Sequence, residues 1–92
     1  MYPRARPDLT VRTVDGEAVL LDRSGGRVHQ LNVTASFVWS RLDGRTPPHD
    51  VVVAVAEAFD VMPETAARDV DALLDQFRTL NLLASEVTRG GE

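Results

Sequence analysis

The chain changes its period at Asn32, and that switch constrains its fold more than any figure of composition. Upstream, apolar residues come in short β-branched runs, "LTVRTV", "EAVLLD" and "RVHQL", broken by Asp15-Gly16 and by Ser24-Gly25-Gly26. Downstream they recur at every third and fourth residue. Alternation belongs to strands with one face buried, and a period of about 3.6 belongs to helices with one apolar stripe. Asp-Gly is the strongest short hairpin signal, because a type I′ turn needs positive φ at both central positions. A three-strand meander over residues 9–31 follows. The second turn leaves the parity of the third strand open: a loop one residue longer exchanges which of Val28 and His29 faces the helices.

Three helices are expected after the switch. Asn32 or Thr34 caps the first through a side-chain oxygen, and Val33, Phe37, Val38 and Leu42 form its stripe. Trp39 falls at the border of that stripe, as an anchor against the second helix, and Gly44 stands where a left-handed residue ends it. Pro47-Pro48 suit the next helix start, and Val51, Val52, Val55, Ala56 and Phe59 give its buried face. Its valines lower intrinsic propensity, so packing must hold it. The third helix begins at Pro63-Glu64 with a core stripe of Ala66, Val70, Leu73, Phe77 and Leu80. Ala67, Leu74 and Arg78 lie to one side of that stripe. Asn81 ends the helix, and Leu82-Leu83 fold back onto the core.

Strands segregated before helices argue for an α+β domain whose helices cover one face of the sheet. The expected organisation is an arm over 1–8, one domain over 9–84 and a frayed tail over 85–92. A three-strand sheet has two edges, and nothing later in the chain is long enough to pair with both. At least one edge is left bare.

The composition excludes several kinds of chemistry. Ninety-two residues support a single modest core. There is no cysteine, and the two histidines, His29 and His49, fall far short of a zinc ligand set, so no metal or cofactor is expected. The net charge is −4, with ten scattered arginines and no lysine, which disfavours a phosphate backbone as partner. No apolar run has the length of a membrane span, and "MYPRARPD" lacks a signal-peptide block, so a cytosolic protein without membrane partners is expected. Asp71 and Asp75 share a helix face, but general acid–base work needs a cleft that splits their pKa values. They read as a solvated face that would attract a basic partner. Gly25-Gly26 lies in a hairpin turn and is no phosphate loop, and no serine sits in a nucleophile elbow. Binding, not catalysis, is the economical inference.

The stretch "HQLNVTASFVWSRLDGRTPPHDVVVAVAEAFDV", followed by "RDVDALLDQFRTLNLL", resembles the PqqD-like family. These are small peptide-binding chaperones, also called recognition elements for ribosomally made, post-translationally modified peptides. The likeness rests on Leu31-Asn32, Thr34-Ala35, Val38-Trp39, Asp43-Gly44, Arg45-Thr46, Asp69-Val70, Leu73-Leu74 and Leu80, in that order and spacing. It implies a winged helix-turn-helix fold without catalysis of its own. It also implies a cleft between the third strand and third helix, where the leader of a precursor peptide binds as an added strand. The free-standing size resembles the lasso-peptide type, whose partners are a leader peptidase and a cyclase. The alternative is a quinone-cofactor chaperone, partnered by a radical-SAM enzyme.

On this reading Arg27, Val28, His29, Gln30 and Leu31 present backbone groups to the leader, as an edge strand can. Val28, Val70, Leu74 and Phe77 would line pockets for its anchors, Asp69 and Asp71 would rim them, and Ala67 and Arg78 would flank them. A winged-helix DNA-binding protein is the main rival. Its recognition helix should carry Arg, Lys, Asn or Gln toward base edges, whereas this one offers Asp69, Asp71 and Asp75. A third possibility is a subunit that stabilises an enzyme without reading a peptide.

Overall fold

The computed structural model of the chain describes residues 2–84. The tail expected over 85–92 lies outside the described residues. Strands β1 (Thr10–Val14), β2 (Glu17–Asp22) and β3 (Arg27–Gln30) form one antiparallel sheet in the order β1-β2-β3. Asp15 and Gly16 turn the first hairpin with φ of 52° and 80°, the two positive values that a type I′ turn demands.

The second turn spans residues 23–26 and sets Asp22 opposite Arg27. The Asp22 carboxylate holds it closed, accepting hydrogen bonds from the Gly25 N–H at 3.1 Å and the Ser24 hydroxyl at 2.8 Å. Register follows from that loop length. Val11, Leu20 and His29 form one row across the sheet, and Leu20, in the middle, is fully buried under the helices. His29 therefore faces the helical layer. Val28, paired with Leu21, sits on the opposite face at 64% exposure.

Helix α1 (Val33–Trp39) starts at Asn32, whose side-chain oxygen accepts the Ala35 N–H at 2.8 Å. It ends sooner than expected, at Ser40, and Gly44 takes its positive φ in the following loop instead. There the Gly44 N–H bonds the Pro3 carbonyl. The aromatic roles are also exchanged relative to the sequence reading. Trp39 is buried and meets Phe77 of the third helix edge-on at 5.3 Å. Phe37 is only half-buried and packs on Phe59 of the second helix at 5.4 Å, with Arg41 stacked over its ring.

Helix α2 (Pro48–Phe59) ends on Asp60 in the left-handed region, and α3 (Pro63–Thr79) is followed by Asn81 at φ 60°. The Leu82 N–H then donates back to the Phe77 carbonyl at 2.9 Å, the type of bond that closes a helix on a left-handed residue. Leu82 and Leu83 turn into the core as expected. Buried stripes of α2 (Val51, Val55) and α3 (Ala66, Val70, Leu74, Phe77) join Leu20, Val38 and Trp39 in a single cluster.

The N-terminal segment is laced to this body. Backbone bonds run from Ala5 to Leu42, from Arg6 to Leu82 and from Ala84 to Arg4. The Arg6 guanidinium reaches Asp8 at 2.6 Å, Asp22 at 3.1 Å and the Asn81 carbonyl at 2.9 Å. One side chain thus ties the arm, the β2–β3 turn and the end of α3. Its hydrogen bonds to Asp22, with those of Gly25 and Ser24, pull that carboxyl down to about 2.

Candidate functional site: the trough between β3 and α3

The ladder between β2 and β3 has an inserted hydroxyl at its end. The Leu31 N–H bonds the Ala18 carbonyl at 2.8 Å, but the reciprocal bond is replaced by Ser36 of α1. Its buried Oγ accepts from the Ala18 N–H at 2.8 Å and donates to the Leu31 carbonyl at 3.3 Å. Leu31 is buried and both its backbone groups are engaged. In an antiparallel ladder the inward and outward backbone groups alternate. With Leu31 directed at β2, His29 and Arg27 are too, and the outward groups are those of Val28 and Gln30. Among the described residues no other strand pairs with that edge. The expectation that all of 27–31 offers its backbone therefore narrows to two residues.

Across from this edge runs α3, in the opposite direction. Beside the end of β3, a hollow of about 330 Å³ is lined by Asn32, Thr34, Asp69, Ala72 and Leu73. At the start of β3, a hollow of about 290 Å³ is lined by Asp22, Gly25, Arg27, Thr79, Leu80 and Asn81. At about 100° per residue, Asp69, Ala72, Leu73, Gln76, Thr79 and Leu80 form one flank of α3. That flank is the trough wall.

Several residues expected to line or flank the pockets lie away from these two hollows. Val70 and Phe77 are fully buried and Leu74 nearly so, which makes them core and not pocket lining. Ala67, Asp71 and Arg78 lie with Leu74 on the far flank and line neither hollow. Arg78 is engaged there with Asp75 at 3.2 Å. Val28 lies on the sheet face turned away from the helices. Of the nominated side chains, Arg27 and Asp69 line the trough and His29 faces the same side of the sheet. Ala72, Leu73, Thr79 and Leu80, not expected as pocket lining, line the two hollows. Their helical spacing was legible, but which flank meets β3 was not.

His29 Nε2 is buried without a hydrogen-bonding partner among the described residues. Such an atom costs about 1–3 kcal/mol if left unpaired. Arg27 and Asp69 are exposed and make no ion pair among the described residues. No group of three or more His, Asp or Glu residues there is placed to hold a metal.

A family model described as Coenzyme PQQ synthesis protein D (PqqD) matches residues 17–83. The chain belongs to the PqqD family. Solved structures agree with that placement. A lasso peptide synthetase B1 complexed with the leader peptide is 30% identical, with a TM-score of 0.80, over 92% of this chain and all of that one. TbiB1, in complex with the TbiA(β) leader peptide, is 25% identical at the same TM-score, over 91% of this chain and 98% of its own. The PqqD portion of PqqCD from Methylobacterium extorquens, a stand-alone recognition element, shares the fold at TM-score 0.73 and 21% identity, over 91% and 89%. No match was found among curated proteins. The order of three antiparallel strands and three helices is that of this PqqD-like group, as the sequence reading expected.

Proposed function

We propose that this protein is a non-catalytic recognition element that binds the leader of a ribosomally made precursor peptide. The leader adds as a strand to the outer edge of β3 and lies in the trough against α3. The observation that carries this reading is the unpaired β3 edge, with outward groups at Val28 and Gln30, facing a helix flank hollowed at both ends. Two similar structures were solved with leader peptides, and one of them is a lasso peptide synthetase B1. We assign the protein to a lasso-type pathway on that likeness, with a leader peptidase and a cyclase as the enzymes that receive the held peptide. Catalysis belongs to them. No described helix is long and apolar enough to cross a membrane.

Proline at Gln30 is the direct test, because it removes one outward N–H without touching the β2 ladder. Fluorescence anisotropy with a labelled precursor leader that the wild-type chain binds should show affinity falling at least tenfold, on the order of the cost of an unmade buried hydrogen bond. Far-ultraviolet circular dichroism should not change. Retained affinity would rule out strand addition at this edge.

A further inference from the structure

The trough carries opposite charges at its two ends. Arg27 stands in the hollow at the start of β3, and Asp69 in the hollow at its end. Asp22 also borders the Arg27 hollow, but its charge is answered by Arg6. Arg27 is exposed and makes no ion pair among the described residues, whereas the Asp22 carboxylate beside it is buried and held by Arg6, Ser24 and Gly25. Arg68, one position before Asp69, stands at the edge of that flank and does not line the Asp69 hollow. Resting on the peptide-binding reading, we infer that these two residues set the direction and charge order of the bound peptide.

The dimensions suit a short extended segment. From Arg27 to Asn32 an extended chain spans about 17 Å, and from Asp69 to Leu80 a helix spans about the same. The sheet is antiparallel throughout, and antiparallel pairing is the more stable per residue. A peptide added that way runs from the Asp69 end toward the Arg27 end. Backbone bonds go to Val28 and Gln30, so peptide residues opposite Leu31, His29 and Arg27 form the close, non-hydrogen-bonded pairs. These share the trough face. The preferred ligand has a basic residue opposite Leu31, reaching Asp69, and an acidic residue opposite Arg27, about four positions later in the peptide. A peptide with the two charges exchanged, or entering backwards, meets like charge at both ends.

The test uses a displayed library of random peptides, selected in parallel on the wild-type chain, Arg27→Glu and Asp69→Arg. Wild-type binders should carry a basic residue before an acidic one at that spacing. Arg27→Glu should change the preference at the acidic position only, and Asp69→Arg at the basic position only. One enriched peptide and its charge-exchanged twin should differ about fivefold in affinity at low salt and converge near about 1 M salt, where screening is nearly complete. Enrichment with no charge order, or an order unmoved by either variant, overturns the inference and leaves peptide binding standing. No enrichment on any of the three would overturn peptide binding itself, and this inference with it.

Discussion

The two edge strands flank β2 on either side, yet they end in different surroundings. At β1, Val11 and Val14 are substantially exposed. The adjoining hollow, of about 460 Å³, is lined largely by apolar groups, among them Val33, Phe37, Trp39 and Phe59. It is larger than either hollow beside β3. At β3 the trough is smaller in each part but chemically varied, with Arg27, Asp69 and Thr79 placed along it. Both edges offer two spaced outward backbone donors; size favours the β1 side, whereas positioned polar groups favour β3. Selective recognition needs a few placed polar groups as well as apolar area.

The sharpest way to break this comparison is proline scanning of both edges. By the same alternation, the outward groups of β1 are those of Val11 and Thr13. Gln30→Pro should lower leader affinity at least about tenfold, and Thr13→Pro should leave it within about twofold. The reverse result, by anisotropy, would move the site to β1. Next in size is Ser36→Ala, which leaves a buried N–H of Ala18 and a buried C=O of Leu31 unpaired. Urea denaturation should show a loss of about 1–3 kcal/mol. Amide exchange should quicken at Ala18 and Leu31, while Glu17 in the first hairpin keeps its protection.

A smaller effect is expected along the row that crosses both edges. His29→Leu removes the unpartnered nitrogen and should raise stability by about 1 kcal/mol in thermal melts. Val11→Thr, at the exposed end of that row, should stay within about 0.5 kcal/mol. The smallest effect is a pH slope on the β3 side. The folded pKa of Asp22 lies below its unfolded value, so its contribution is fully present above about pH 4 and is lost as pH falls toward about 2. Asp22→Asn should lack that slope in acid titrations followed by Trp39 fluorescence.

Much of the fold could be read residue by residue. Asp15-Gly16 gave the first hairpin, Asn32 the helix cap, Asn81 the stop of α3, and the spacing of Ala66, Val70 and Phe77 its buried stripe. Errors arose where two adjacent choices look alike in one dimension. Phe37 and Trp39 are both aromatic and two residues apart, and only packing decided which meets α2 and which meets α3. Ser36 gave no signal at all, because a hydroxyl wedged into a strand ladder requires knowing that α1 abuts the end of β3.

The sequence by itself determined the elements: where the chain alternates, where it turns, and which residues of each helix avoid water. These follow from local sterics and from the period of the apolar pattern, which a linear string carries. Tertiary structure alone decided the parity of β3, which turns His29 inward and Val28 out, and the flank of α3 that walls the trough. Both are choices of hand around a buried stripe. A stripe has two sides of equal hydrophobic pattern, and only the direction in which the neighbouring strand lies distinguishes them.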